Sequence, residues 1–112
     1  METELNERLF KFSIDILRFL SSLPSSPEFK ILRYQLAKSS TSSGANYEEA
    51  QGAISRADFK NKVHISLKEM RESHYWLRII KQRNAKNNNI ECLLKESAEL
   101  KNILGSICCK LK

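Results

Sequence analysis

Four stretches of the sequence repeat apolar residues at intervals of three and four positions, and this periodicity constrains the fold more than any other feature. Residues at those intervals lie on one face of an α-helix, so each stretch predicts an amphipathic helix. The connections are short, which favours consecutive helices lying side by side in opposite directions. The sequence therefore predicts one all-α domain over residues 1–112, an antiparallel up-and-down four-helix bundle. Its helices are expected at about residues 3–23, 27–54, 56–83 and 90–109.

The composition agrees with a helical protein of the cytoplasm. The chain has only 3 Gly and 2 Pro, whereas all-β folds use far more of both in their turns. No apolar run approaches the roughly 18–20 residues that a membrane span needs, so we expect no membrane contact. The first residues, METELNERLF, are acidic, unlike a secretory signal. The odd number of cysteines (Cys92, Cys108 and Cys109) favours a reducing compartment.

The second predicted helix contains a segment with weak helical propensity. Residues 39–50, SSTSSGANYEEA, are rich in Ser, Thr and Gly, which are poor helix formers. The three-four spacing nevertheless continues through this segment and is expected to reach Ile54. We favour one long helix whose small residues allow a neighbouring helix to approach closely. A loop at residues 39–44 is the alternative.

Positive charge is concentrated in the third predicted helix and the residues that follow it. The chain has a formal net charge of +6, and residues 56–89 hold nine basic and three acidic residues. At about 100° per residue, seven of those nine basic residues fall within one broad arc of a helix. Such a face suits a polyanion such as RNA, and the candidate contacts are Lys60, Arg71, Arg78 and Lys81. A merely solvated face, or contact with an acidic protein partner, would produce the same pattern.

Surplus apolar residues predict that copies of the chain associate. A helix in a four-helix monomer needs one apolar stripe, yet the first and third predicted helices each carry about two. In the first helix the additional residues are Phe10, Ile14 and Leu17. Because extra apolar surface on a soluble protein usually marks an interface, we expect a homo-oligomer.

Motifs for metal, cofactor and catalytic sites are missing from the sequence. A di-iron bundle needs Glu-x-x-His pairs, but Asn61 and Arg71 stand three residues before His64 and His74. No Cys/His spacing suits zinc, and no nucleophile elbow or Gly-rich phosphate loop occurs. We therefore predict a protein that is not an enzyme, with no catalytic residue, metal or cofactor, in which His74 is a packed, hydrogen-bonded side chain.

Glu69 and Glu72 lie one helical turn apart, the spacing of a carboxylate pair that could act in general acid–base catalysis. Polar partners on the second helix, Asn46 and Glu49, make a structural hydrogen-bonded cluster the better interpretation.

The aromatic residues of the second and third helices allow two interpretations as well. Tyr47, Tyr75 and Trp76 could stack on nucleic-acid bases, although such residues more often belong to a core or an interface.

Three segments together resemble a known family. TSSGANYEEA, DFKNK and LKEMRESHYWL occur in the order and spacing of the four helix bundle protein family. Its members include proteins encoded in intervening sequences of bacterial 23S rRNA genes. The resemblance covers residues 9–107. It implies an up-and-down bundle, commonly a homopentamer around a central axis, with residues 39–50 helical and Gly44 at a tight helix contact.

The resemblance also bears on sites and partners. A polar and aromatic set matches the family's motif positions: Asn46, Glu49, Glu69, Glu72 and Trp76. A related accessory protein of diversity-generating retroelements is a basic pentamer that binds a reverse transcriptase and nucleic acid. By analogy of fold and charge, the expected partners are other copies of the chain together with RNA or a nucleic-acid-processing protein. A protein–protein interaction scaffold without nucleic-acid contact is the alternative.

Overall fold

The computed structural model describes residues 2–83 and 89–112, and this part of the chain is all-α. It contains no β-strand, in agreement with the predicted fold class. The connection expected between the third and fourth helices lies outside the described residues, apart from Asn89. The four helices are α1 (Glu2–Leu20), α2 (Pro27–Ala50), α3 (Arg56–Arg83) and α4 (Asn89–Lys110).

Each helix packs on two others around one apolar core. α2 lies between α1 and α3, and α4 contacts α3 and α1, which gives a body of 44 × 22 × 21 Å. Every helix supplies fully buried side chains, for example Leu9, Leu36, Leu77 and Leu104. Burial of each such side chain stabilises the fold by about 1.5–3 kcal/mol. None of the helices in the described part of the chain has the length and apolar character needed to cross a bilayer.

Two helices end earlier than the sequence predicts. α1 ends at Leu20 rather than at residue 23, and α2 ends at Ala50 rather than at residue 54. After both ends, backbone hydrogen bonds join residues three apart instead of four. The Leu23 N–H donates to the Leu20 O at 3.3 Å, and the Ala53 N–H donates to the Ala50 O at 3.1 Å. Helical periodicity therefore stops, and Ile54, which was expected on the buried face of α2, is 94% exposed.

The serine-rich segment of α2 is helical, and its hydroxyls find partners there: Ser40 and Thr41 donate to carbonyls of α2, and two other serines bond to α3. Ser39 Oγ lies 2.8 Å from Ser73 Oγ. Ser43 Oγ donates to the Ser66 O at 2.8 Å, and Ser66 Oγ donates to the Ser43 O at 2.7 Å. All four side chains are buried. We call these two pairs the α2–α3 serine contacts. They offset the weak propensity of the segment by satisfying buried polar groups, so the alternative of a loop at residues 39–44 was wrong.

Gly44 lies on the opposite side of the same segment, next to α1. A Cβ atom added to Gly44 would lie 3.6 Å from both the Cβ and the backbone O of Leu9. That distance corresponds to ordinary van der Waals contact, so α1 and α2 approach each other closely at this point without excluding a methyl group.

Candidate nucleic-acid interface

The predicted RNA contacts divide into two groups along α3. Arg71 and Arg78 are exposed, whereas Lys60 and Lys81 are half-buried. At about 1.5 Å per residue, Arg71 and Lys81 are about 15 Å apart along the helix axis. Lys60 lies about 16 Å before Arg71 by the same measure. Arg71, Arg78 and Lys81 therefore lie in the second half of α3, whereas Lys60 lies near its start.

A groove between α3 and α4 is lined by Arg71, Arg78 and Lys81. It consists of two adjoining depressions of 460 Å³ and 740 Å³ that share His74, Tyr75 and Arg78. We call it the α3–α4 groove. Its basic and aromatic lining residues are Arg71, His74, Tyr75, Arg78, Lys81, Arg83, Lys95 and Lys101.

The fourth helix supplies part of the positive charge, which the sequence analysis did not detect. Lys101 lines the smaller depression together with Arg71 and Arg78, and Lys95 lines the larger one. Charge counting within single helices could not assign Lys101 to this site, because the rotation of α4 relative to α3 is set by core packing.

Ion pairing distinguishes the predicted contacts from one another. Lys81 Nζ lies 2.8 Å from Glu91 Oε2 on α4, so a carboxylate already neutralises this charge. No carboxylate oxygen of the described chain lies within 4.0 Å of the charged groups of Arg71, Arg78 or Lys101. Lys95, which lines the larger depression, likewise has no carboxylate oxygen of the described chain within this distance. The uncompensated charge of the α3–α4 groove therefore comes from these four residues.

His74 sits among those charges as a neutral side chain. Its Nδ1 lies 2.8 Å from Ser97 Oγ, and the ring is half-buried between α3 and α4. Burial lowers the pKa of His74 below its usual value of 6.5, and the positive charges of Lys101 and Arg78 lower it further. The interpretation of His74 as a packed, hydrogen-bonded residue agrees with this geometry.

The α2 members of the predicted polar cluster bond elsewhere. Asn46 Nδ2 donates to the backbone O and the Oγ of Ser42, one turn earlier in α2, at 2.9 and 3.1 Å. Glu49 Oε1 pairs with Lys62 Nζ at 2.9 Å. Among the described residues, no hydrogen bond joins either side chain to the α3 members of the cluster.

The α3 members lie half-buried on the helix surface. Burial raises the pKa of Glu69 above its usual value of 4.5, and the nearby negative charge of Glu72 adds to the effect. The Nε1 atom of Trp76 is buried and has no hydrogen-bond partner within the part of the chain described here. Within one chain, the residues predicted as a structural cluster do not form a single hydrogen-bonded network.

The described residues contain no group of three or more His, Cys, Asp or Glu side chains that could hold a metal ion together. The cysteines Cys92, Cys108 and Cys109 are free thiols, and burial raises the pKa of Cys108.

Comparison with known proteins identifies the family. The sequence profile of the family described as 23S rRNA-intervening sequence protein matches residues 1–106, nearly the whole chain. The chain belongs to the 23S rRNA-intervening sequence protein family. The resemblance noted from TSSGANYEEA, DFKNK and LKEMRESHYWL is thereby confirmed.

A solved structure supports membership of the 23S rRNA-intervening sequence protein family. It is the crystal structure of a protein of unknown function from the S23 ribosomal protein family of Bacteroides thetaiotaomicron, with 32% sequence identity and a TM-score of 0.83. The alignment covers 93% of this chain and 97% of that one, so the two share the complete fold. No curated protein matches the sequence.

Proposed function

We propose that this family member is a non-enzymatic, homo-oligomeric four-helix bundle that binds RNA or a ribonucleoprotein through the basic face of α3. The observation that carries the proposal is the α3–α4 groove, where Arg71, Arg78 and Lys101 present positive charge that no nearby carboxylate offsets. RNA phosphates attract such a surface whatever the sequence, and the attraction weakens with salt. The site needs no catalytic residue, metal or cofactor, since binding alone is proposed.

The proposed topology is antiparallel and up-and-down. Ion pairs support it: Glu28 at the start of α2 pairs with Arg83 at the end of α3, at 2.9 Å. Glu49 near the end of α2 pairs with Lys62 near the start of α3. Pairs that join opposite ends of consecutive helices are those that an antiparallel arrangement produces.

The proposed assembly is a homopentamer located in the cytoplasm. Its interface would include the additional apolar stripe of α1, where Phe10 is 65% exposed and Leu17 is 46% exposed. These side chains line a depression of 320 Å³ that also reaches Gly44 and Ala45 of α2. The subunit number comes from the family resemblance. Five copies would carry a formal charge of about +30, five times the +6 of one chain, which favours phosphate binding at low salt.

The test of RNA binding is fluorescence anisotropy with a labelled generic RNA at rising salt. The expected result is saturable binding at low salt that weakens steadily as salt increases. A double variant, Arg71→Gln with Arg78→Gln, should bind more weakly, and Arg18→Gln is the matched control because Arg18 is an exposed arginine on α1. Anisotropy that stays flat at every salt concentration would reject the proposal.

The second candidate function is a protein–protein interaction scaffold that does not contact nucleic acid. The exposed apolar residues of α1 favour it, because a protein partner rather than a second copy could cover them. A pulldown that recovers one protein stoichiometrically after nuclease treatment would favour this candidate, provided that the anisotropy experiment has shown no RNA binding.

A further inference from the structure

Tyr75 is the aromatic candidate that the fold leaves open to solvent. Its side chain is 52% exposed, whereas Tyr47 is 1% exposed and Trp76 packs against the core. Tyr75 lines both depressions of the α3–α4 groove, and it also lines a third, mainly apolar depression beside Arg71. The groove therefore has an aromatic ring at its centre, and the other two candidate stacking residues lie away from its open surface.

The Tyr75 ring is restrained by its neighbour. The ring centroids of Tyr75 and Trp76 are 5.2 Å apart, and the ring planes meet at 68°. In an edge-to-face pair, the edge of one ring contacts the face of the other. The contact therefore restrains the Tyr75 ring without covering the whole of it. A ring that is already restrained loses little conformational entropy when a ligand stacks on it.

Positive charge flanks this ring along α3. Arg71 precedes Tyr75 by four residues and Arg78 follows it by three, spacings that make side chains neighbours on a helix surface. The two arginines are about 10.5 Å apart along the axis. Lys101 lines the same depression from α4. Proteins that bind single strands combine a positively charged groove with aromatic side chains on which bases stack. An exposed ring between two guanidinium groups without carboxylate partners provides both features.

From this arrangement we infer that the α3–α4 groove binds single-stranded RNA, with one base stacked on Tyr75 and neighbouring phosphates on Arg71 and Arg78. The inference rests on the proposed function and specifies the form of RNA that is bound. In a duplex, both faces of an internal base are covered by its neighbours, so a duplex offers phosphates to the arginines but no open base to the ring. The groove therefore discriminates between the two forms through Tyr75, while the arginines contribute to both.

The experiment compares one labelled strand in two forms. A fluorescein-labelled oligoadenylate of about 12 nucleotides is titrated alone and as its duplex with oligouridylate. Tyr75→Leu should weaken single-strand binding about tenfold and leave duplex binding unchanged, because only stacking is removed. Tyr75→Phe keeps the ring and should bind like the native protein. Tyr34→Leu is the matched control, since Tyr34 is an exposed tyrosine on α2 with lysines one turn away on either side.

The outcomes separate this inference from the proposed function. If native protein binds both RNA forms and Tyr75→Leu leaves single-strand affinity unchanged, the stacking inference is wrong while RNA binding stands. If Tyr34→Leu weakens single-strand binding as much as Tyr75→Leu does, the assignment to this groove is overturned. If native protein binds neither form, both proposals fail. Trp76, the one tryptophan of the chain, gives a second readout: its fluorescence should change with the single strand and stay constant with the duplex.

Discussion

The salt dependence of RNA binding tests the charge distribution of the α3–α4 groove quantitatively. Four basic residues there lack a carboxylate partner among the described residues: Arg71, Arg78, Lys95 and Lys101. For single strands, the logarithm of affinity falls with the logarithm of salt concentration by about 0.7 per neutralised phosphate, so the expected slope is about −2.8 for a short RNA in one groove. Between about 50 and about 200 mM salt, affinity should fall about 50-fold.

Variants should change this slope by amounts that the ion pairs determine. Removing both Arg71 and Arg78 leaves two uncompensated charges, so the slope should decrease in magnitude to about −1.4. Lys81→Gln should change the slope much less, because Glu91 lies 2.8 Å from Lys81 Nζ. A single exposed ion pair contributes only about 0–1 kcal/mol to stability, so this variant should stay folded.

The assay is fluorescence anisotropy at four or more salt concentrations with an RNA short enough to occupy one groove. Circular dichroism confirms that each variant is folded. A double arginine variant that keeps the native slope would show that the phosphates lie elsewhere. If Lys81→Gln and Arg78→Gln flattened the slope equally, the inference that Glu91 neutralises Lys81 would be wrong.

Three further predictions concern stability and assembly. Gly44→Ala should stabilise the protein by about 0.5–1 kcal/mol, because alanine favours a helix over glycine and the added methyl group meets Leu9 at contact distance. Gly105→Ala is the control, because a Cβ at Gly105 would meet no other atom within 4 Å, so this variant measures the helix-propensity effect alone in the same thermal melt. A loss of stability confined to Gly44→Ala would contradict the described spacing of α1 and α2. Phe10→Lys should shift the mass measured by light scattering toward the 13.0 kDa of one chain, and an unchanged mass would exclude this part of α1 from the interface. Because the pKa of His74 is lowered in the folded state, the unfolded chain binds more protons below pH 6.5, so stability should fall as the pH drops below that value. His74→Asn should lose less stability over the same pH range in denaturant titrations, and an equal loss in both proteins would assign the effect to other groups.

The sequence predicted the helices well because apolar spacing is a property of each segment alone. All four helices occur, and the serine-rich part of α2 is helical, although its propensity argues against that. The ends of α1 and α2 were placed too late, since apolar spacing persists by chance into turns such as the one that leaves Ile54 exposed.

The candidate site was harder to predict because it depends on two helices. The exposed positions of Arg71 and Arg78 follow from the periodicity of α3. The pairing of Lys81 with Glu91 and the approach of Lys101 depend on how α4 is rotated and shifted against α3. Those two quantities are set by many small packing contacts, and charge counting within one helix contains no information about them.

The α2–α3 serine contacts determine the axial offset between those two helices. Leucine packs on leucine at many offsets, whereas a hydroxyl group has a partner at one height only. Sliding α3 by one turn, about 5.4 Å, would separate both pairs. Ser39 and Ser73 also donate to carbonyls of their own helices, so the cost of such a shift falls mainly on Ser43 and Ser66. Leaving a buried hydroxyl unsatisfied costs about 1–3 kcal/mol, a large fraction of the roughly 5–15 kcal/mol that holds a domain folded. Since α3 also carries Arg71 and Arg78, Ser39 and Ser43 set the height of those positive charges relative to α2, and in the proposed assembly every copy would present them at that same height.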